Sequence, residues 1–146
     1  MLFSQTVEYA LRAMVMLADQ PDEPQVTHDI AERTRVPAGY LSKVLQSLGR
    51  AGLVKAQRGL GGGWTLARPP EQISILEIVN VVDPIQRITT CPLGLKSHGT
   101  SLCPLHRKLD DALRSVEQAF GSTSLADVVG KPGHSKPLCD VTVAGR

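Results

Sequence analysis

The chain has 146 residues, of which 42% are hydrophobic and 3% aromatic, and its sixteen basic and fourteen acidic residues leave a formal net charge of +2. This size and content predict one compact unit with an aliphatic core. No apolar run is long enough to span a bilayer, and the N-terminus lacks the basic start of a signal peptide, so we expect a cytoplasmic protein with no membrane partner. No catalytic triad, metalloprotease motif or carboxylate pair is recognisable, so we expect that it is not an enzyme.

The N-terminal segment is predicted to be an amphipathic helix with a purely structural apolar stripe. Its apolar residues recur at helical spacing: Val7, Ala10, Leu11, Met14, Leu17 and Ala18. Glu8 lies four residues before Arg12 on the same helix, which predicts an ordinary surface ion pair.

A helix-turn-helix follows. Thr27 is the predicted N-cap of a short helix over 28–33, and after a turn at 34–37 a second helix runs from about residue 38 to residue 50. One face of the second helix is apolar and is formed by Leu41, Val44, Leu45 and Leu48. The remaining side chains could donate hydrogen bonds to base edges and phosphates: Tyr40, Ser42, Lys43, Gln46, Ser47 and Arg50.

Two short strands are predicted next, over 53–57 and 63–67, and the segment Arg58-Gly-Leu-Gly-Gly joins them as a wing. Gly59 and Gly61 would let the hairpin turn and let its backbone approach a phosphate, while Arg58 is placed to enter a minor groove. No Gly-Lys-Ser/Thr follows the glycines, which argues against a nucleotide-binding loop.

Positive charge is concentrated in this region. No Asp or Glu occurs between Arg33 and Pro70, whereas seven basic residues do: Arg33, Arg35, Lys43, Arg50, Lys55, Arg58 and Arg68. Such segregation predicts a polyanionic partner. Double-stranded DNA is favoured over RNA because Trp64 alone makes a poor surface for stacking unpaired bases.

A cysteine loop extends from Cys91 to His106 and contains two of the three cysteines of the chain. Pro104 suits the first position of a helix, which makes Cys103 the predicted N-cap, where unpaired N–H groups favour a thiolate. His106, three residues on, could reach back to it. Cys91, His98, Cys103 and His106 could also form a tetrahedral zinc set, and an inert loop is the plainest alternative.

The helix after Cys103 has a long apolar edge that a single helix cannot bury, formed by Leu105, Leu109, Ala112, Leu113, Val116 and Phe120. We expect this edge to pair with a second copy, giving a two-fold dimer that matches a palindromic site. Asp110 and Asp111 are predicted on the solvent face. The resulting division is 1–83 for DNA binding, 84–103 for the sensor loop, 104–129 for dimerisation and 130–146 for a mobile tail, in which Cys139 has no assigned role.

The order of these motifs resembles one family. A helix, a helix-turn-helix, an Arg-Gly-x-Gly-Gly-Gly-aromatic wing (58–64), Leu-Ala-Arg-Pro (66–69), a helix starting Ile-Ser-Ile-Leu-Glu-Ile-Val (73–79) and a cysteine loop are similar to the winged-helix regulators of the Rrf-two type, which include the iron-sulfur assembly regulator and the nitric-oxide-responsive repressor. The resemblance spans residues 1 to about 129. It implies a mainly α fold with a two-stranded wing and a long C-terminal dimerisation helix, and a homodimeric transcription factor, often a repressor, whose iron-sulfur cluster changes its affinity for a palindromic operator.

The resemblance also implies cluster ligands. The family's loop carries three cysteines, of which Cys91 and Cys103 have matches here, while Ser97 stands at the middle position with His98 beside it. His106 matches a histidine ligand, and Glu8 matches the acidic residue that a partner subunit supplies.

Two thiolates favour a 2Fe-2S cluster over a 4Fe-4S cluster, held by Cys91 and Cys103 with His106, His98 or Glu8 of the partner subunit. Such a protein would respond to redox state, nitric oxide or iron-sulfur status. A cluster-free thiol switch and a zinc-containing regulator are the alternatives.

Overall fold

The computed structural model describes residues 2–99 and 101–130, and of His98 it describes only the backbone. The tail beyond residue 130, with Cys139, lies outside these residues. The described chain is mainly helical, with one two-stranded antiparallel sheet. Its elements are α1 (Gln5–Asp19), α2 (Thr27–Thr34), α3 (Ala38–Arg50), β1 (Val54–Gln57), β2 (Gly63–Leu66), a 3-10 turn (Pro70–Gln72), α4 (Ile75–Val82), a second 3-10 turn (Lys96–His98), α5 (Pro104–Gly121) and α6 (Leu125–Val129).

The helix α1 lies at the centre of the core. Ser4 caps it by accepting a hydrogen bond from the N–H of Val7 at 3.4 Å. The predicted stripe is buried except for Leu11, which is half-buried, and Ala13 and Met16 are buried in addition. Because α1 contacts α2, α3, α4, α6 and β2, it holds the elements that carry the candidate site in fixed relative positions.

The helices α2 and α3 form the predicted helix-turn-helix. The turn between them begins at Arg35, whose left-handed backbone (φ 56°) lets the N–H of the following Val36 donate to the carbonyl of Ala31 at 3.1 Å. The predicted apolar face of α3 is confirmed, since its buried residues are Leu41, Val44, Leu45 and Leu48. Burial of this stripe turns the opposite face of α3 toward solvent.

The wing is a hairpin whose register pairs Val54 with Leu66 and Gln57 with Gly63. Each strand is one residue shorter than predicted. The strand β2 is bound to the segment before α2, because Gln25 and Trp64 exchange backbone hydrogen bonds at 3.0 and 2.8 Å. The wing is therefore docked to the helical core.

The helix α4 begins with a capping box, in which Ser74 and Glu77 satisfy each other's backbone N–H groups. Arg68 donates to Glu77 at 2.6 Å. Burial alone would raise the pKa of Glu77, but the Ser74 N–H and the Arg68 guanidinium together lower it. These contacts join the end of the wing to α4.

The helix α5 forms a long arm, and α6 brings the chain back to the core. The helix α5 has eighteen residues, of which Asp110 alone is buried. At its end, the ring of Phe120 lies 5.3 Å from that of Phe3. The helix α6 then packs into the core through Leu125, which is fully buried and donates to the carbonyl of Ile73 at 2.7 Å. Within the described ranges, no helix is long and apolar enough to cross a membrane.

Candidate nucleic-acid interface and cysteine loop

The solvent face of α3 presents the side chains predicted to read DNA. Lys43, Gln46 and Arg50 are exposed. Their spacing at positions 43, 46 and 50 places them on one side of the helix, opposite the buried stripe. This face combines two cations with one amide, which can both accept and donate hydrogen bonds.

Two predicted contact residues on α3 are partly engaged within the protein. The hydroxyl of Tyr40 lies 2.5 Å from that of Thr6, and its ring meets that of Tyr9 edge-on at 5.4 Å. Ser42 donates its hydroxyl hydrogen to the carbonyl of Ala38 at 3.1 Å, which leaves its oxygen as an acceptor. Tyr40 thus links α3 to α1, a contact that no local pattern indicates.

The tip of the wing is a tight turn over residues 59–62, closed by a hydrogen bond of 3.0 Å from the N–H of Gly62 to the carbonyl of Gly59. Gly59 and Gly61 adopt a left-handed backbone, with φ of 91° and 72°. Gly62 is required for space, because a Cβ atom there would clash with the carbonyl oxygen of Gln57. Arg58 is exposed beside this turn.

Trp64 fixes the wing against both helices of the helix-turn-helix. Its indole N–H donates to the hydroxyl of Thr27 at 3.1 Å, and its ring lies against Gly49, where an added Cβ would be 3.4 Å from the ring. The prediction that Thr27 caps α2 is wrong: the N-cap is Val26, without a side-chain hydrogen bond, and Thr27 is the first helical residue. The hydroxyl of Thr27 therefore accepts a hydrogen bond from the wing and does not cap the helix.

Most of the predicted positive charge faces solvent. Arg35, Lys43, Arg50, Lys55 and Arg58 are exposed, and Arg33 is half-buried. Arg68 differs from them, because its ion pair with Glu77 offsets its charge. The cationic surface therefore covers the helix-turn-helix and the wing, without the segment that follows.

Cys103 and His106 form the predicted pair at the start of α5. Cys103 is the N-cap, with an extended backbone and Pro104 at the first helical position. Its Sγ lies 3.2 Å from Nδ1 of His106, and both side chains are half-buried. A thiol and an imidazole at this distance can share a proton or bind one metal ion.

The rest of the predicted ligand set is not assembled around this pair. Cys91 is a half-buried free thiol at the start of the loop. Over residues 2–99 and 101–130, leaving aside the side chain of His98, no three or more His, Cys, Asp or Glu side chains lie close enough to hold a metal ion. The donor types suit iron or zinc, but the described part of one chain does not supply a complete site.

A network of charges ties the segment before Cys91 to the middle of α5. Arg87 binds both carboxylate oxygens of Asp110 at 2.6 Å and binds Glu117 at 3.0 Å. Asp110 also accepts from the N–H of Ile88 at 2.9 Å. The prediction that Asp110 faces solvent is therefore wrong, since it is 8% exposed, whereas Asp111 is exposed. The Arg87 hydrogen bonds lower the pKa of Asp110 to about 2 and raise that of Arg87.

Glu8 makes the predicted ion pair with Arg12, with 3.0 Å between Oε1 and Nε. Arg12 also donates to the carbonyl of Thr34 at 3.3 Å and lies over the ring of Tyr9. The side chain of Glu8 is one-third exposed, which leaves it accessible from outside the chain. The hydrogen bond from Arg12 to Thr34 joins α1 to the end of α2.

Comparisons with known proteins agree on one family. Residues 3–131 match the Rrf2 family model, whose description is "Iron-dependent Transcriptional regulator". Rv1287 of Mycobacterium tuberculosis, whose name assigns it provisionally to the HTH-type transcriptional regulators, is 37% identical over 147 residues, with 96% of this chain and 89% of that protein covered.

Solved structures show the same fold. CymR of B. subtilis, titled the global cysteine regulator, aligns with a TM-score of 0.73 at 28% identity, covering 87% of this chain and 95% of CymR. IscR of T. potens also has a TM-score of 0.73 at 28% identity, covering 87% of this chain and 85% of IscR.

Proposed function

The chain belongs to the Rrf2 family and is a transcriptional regulator, not an enzyme, and we propose that it is a cytoplasmic homodimeric repressor of palindromic DNA sites. In this proposal α3 reads the major groove, the wing enters the minor groove, and the cysteine loop sets the affinity. The observation that carries the proposal is the shared placement of an exposed cationic helix face and a docked cationic wing on one rigid core.

Each DNA-contacting group has a separate role in the proposal. Lys43 and Gln46 read base edges, and Arg50 binds phosphate at the end of α3. Arg58 enters a narrow minor groove, where the negative potential is strongest. The backbone N–H groups of Gly59 and Gly61 approach phosphates at the tip. Tyr40 and Ser42 contribute to the edge of the interface, where the Tyr40 hydroxyl and the Ser42 oxygen can still accept hydrogen bonds.

The test of DNA binding begins with duplexes that the protein selects from a random-sequence pool. Lys43→Ala is expected to change the selected sequence, and Arg58→Ala to weaken binding by about tenfold where the minor groove is narrow. Lys108→Ala is the control, because it removes an equal charge from the exposed surface of α5. Failure of the wild-type protein to select any sequence would overturn the proposal.

The exposed apolar edge of α5 is the basis for the proposed dimer. The edge of α5 leaves Leu105 64% and Leu109 48% exposed, on a helix long enough to lie along its twin. Pairing two such edges would remove apolar surface from water and set the two reading heads a fixed distance apart. A palindromic operator is the matching DNA symmetry.

For the cofactor we propose a 2Fe-2S cluster with ligands from Cys91, Cys103 and His106, completed by Glu8 of the partner subunit. The Cys103–His106 distance of 3.2 Å supports this choice, since both donors already face one point at a helix end. When bound, such a cluster would supply one-electron redox chemistry and reactivity toward nitric oxide. Cys91 would have to close on the pair, which the chain between residues 91 and 103 is long enough to allow.

The cofactor is tested by anaerobic purification. We expect a visible absorption band with stoichiometric iron and sulfide, lost in Cys103→Ala and weakened in Glu8→Gln. Arg12→Gln is the control for Glu8, because it breaks the same ion pair without removing the carboxylate. A colourless protein with neither iron nor sulfide would contradict this part of the proposal and leave DNA binding unaffected.

A cluster-free sensor is the second candidate. It is favoured by the pairing of Cys103 with His106 in the absence, within the described residues, of a third ligand beside them. The imidazole could take the thiol proton and leave a thiolate that oxidises readily. A colourless protein whose Cys103 becomes blocked by peroxide would support this candidate, whereas stoichiometric zinc would indicate a metal regulator of the same site.

A further inference from the structure

The apex of the wing is apolar, although everything around it is polar, charged or glycine. Leu60 is fully exposed at 106% of its reference surface, more than any other large hydrophobic residue of the described chain. A leucine this exposed buries no apolar surface when its own chain folds. Only contact with a partner molecule can remove that surface from water.

The backbone of the turn places Leu60 at this point. Within residues 59–62, Leu60 is the second residue and Gly61 the third, and Gly61 has the positive φ that a type II turn requires there. The side chain at the second position of such a turn projects away from the hairpin. The hydrogen bond from the N–H of Gly62 to the carbonyl of Gly59 closes the turn with Leu60 at its tip.

The surroundings of Leu60 identify the partner. Arg58 and Lys55 are exposed on the same hairpin, and the segment from residue 33 to residue 70 contains no acidic residue. A hydrophobic protein surface would be a poor match for these cations, whereas a DNA minor groove offers phosphates at its edges and apolar deoxyribose walls between them. The same groove can therefore satisfy the cations and the leucine together.

We propose that Leu60 is a DNA-contacting residue that packs between the deoxyribose walls of the minor groove, beside Arg58. This inference rests on the proposed DNA-binding function. Arg58 supplies the electrostatic attraction, and Leu60 supplies apolar contact that depends on groove width and on an unobstructed floor. Guanine projects a 2-amino group from that floor, so sites with A·T pairs under the wing would be favoured.

The test compares two substitutions of Leu60, together with Arg58→Ala, on the duplex that the wild-type protein selects. Leu60→Ser is expected to weaken binding roughly five- to tenfold, as for partial burial of one leucine side chain, and Leu60→Met to retain the wild-type affinity. The slope of affinity against salt concentration should stay the same in Leu60→Ser, because no charge is lost. In Arg58→Ala, by contrast, the slope should fall by about one ion.

A base substitution in the same duplex locates the contact. Replacing A·T by inosine·C under the wing leaves the minor-groove floor open, and the difference between wild type and Leu60→Ser should persist. Replacing A·T by G·C should abolish that difference.

Equal affinities of wild type and Leu60→Ser would overturn the inference, as would a change in the dimer equilibrium of Leu60→Ser by sedimentation. If the wild-type protein selects no duplex, the proposed function itself fails.

Discussion

The winged-helix head (residues 2–83) and the arm formed by α5 differ in how much of their apolar surface is buried within one chain. In the head, residues such as Leu17 and Leu45 are at most 1% exposed, and even the wing is joined to the core through Gln25 and Trp64. On α5, Leu105 and Leu109 face solvent. The head thus buries its apolar residues within one chain, with Leu125 of α6 in the same core, whereas α5 leaves an apolar edge in solvent. The proposed DNA reading and the proposed dimerisation would therefore fall in regions with different physical requirements.

Equal truncations in the two regions should have unequal effects on folding. Leu17→Ala empties a fully packed site and is expected to lower the free energy of unfolding by about 2–5 kcal/mol. Leu109→Ala removes the same atoms from an exposed position and should change the unfolding of the isolated chain by less than about 0.5 kcal/mol. Urea denaturation at low protein concentration measures the free energy of unfolding of both variants. Equal losses would contradict the difference in burial between the head and α5.

Dimer association should depend more on the edge of α5 than on the core of the head, which is the opposite of the order expected for unfolding. Leu109→Asp puts a charge on the apolar edge of α5 and is expected to raise the dimer dissociation constant at least about tenfold, because a charge would be buried at the interface. Sedimentation across a concentration series reads this out. Lys108→Asp, a neighbouring substitution outside the apolar edge, serves as the control. A monomeric wild-type protein at micromolar concentration would contradict the assignment of α5 to dimerisation.

The charge network between the loop and the arm predicts a pH dependence. The folded pKa of Asp110, about 2, lies below its ordinary value of 3.8, so the ionised carboxylate stabilises the fold above about pH 4, and this contribution is lost as the pH falls toward 2. Asp110→Asn should therefore destabilise the protein at pH 6, with a difference from wild type that shrinks at pH 3. Asp111→Asn is the matched control, and an equal effect from both would contradict the role of Arg87.

The smallest expected effect concerns the junction of the wing with α2. Thr27→Val leaves the indole N–H of Trp64 without its partner and should cost about 1 kcal/mol. Trp64 is the single tryptophan of the chain, so its fluorescence reports on this junction alone. A shifted emission maximum is expected for Thr27→Val. Ser115→Ala, which removes an exposed hydroxyl within α5, should leave the spectrum unchanged.

Local patterns predicted those parts of the molecule that local rules govern. The spacing of Leu41, Val44, Leu45 and Leu48 identified the buried face of α3, and the Cys-Pro pair located the start of α5, because periodicity and capping act over a few residues. The wing strands were predicted to within one residue because glycines delimit them.

The errors arose where a partner lies far along the chain. Thr27 satisfies Trp64, 37 residues away, and Asp110 binds Arg87, 23 residues earlier. Neither Thr27 nor Asp110 has a neighbour that signals these contacts. The docking of the wing on Gln25 was missed for the same reason, since backbone pairing across distant segments carries no side-chain pattern.

The central claim, that the cysteine loop controls the DNA affinity of the head, is tested most directly by titrating the selected duplex with anaerobic and oxidant- or nitric-oxide-treated protein. Cys103→Ser and Cys139→Ser are compared with wild type, since both remove one of the three thiols. Treatment should change the affinity of the wild-type protein and of Cys139→Ser by about tenfold or more, as expected for a coupling free energy of 1–3 kcal/mol. Cys103→Ser should show no such change, and a response in Cys103→Ser equal to that of wild type would contradict the claim.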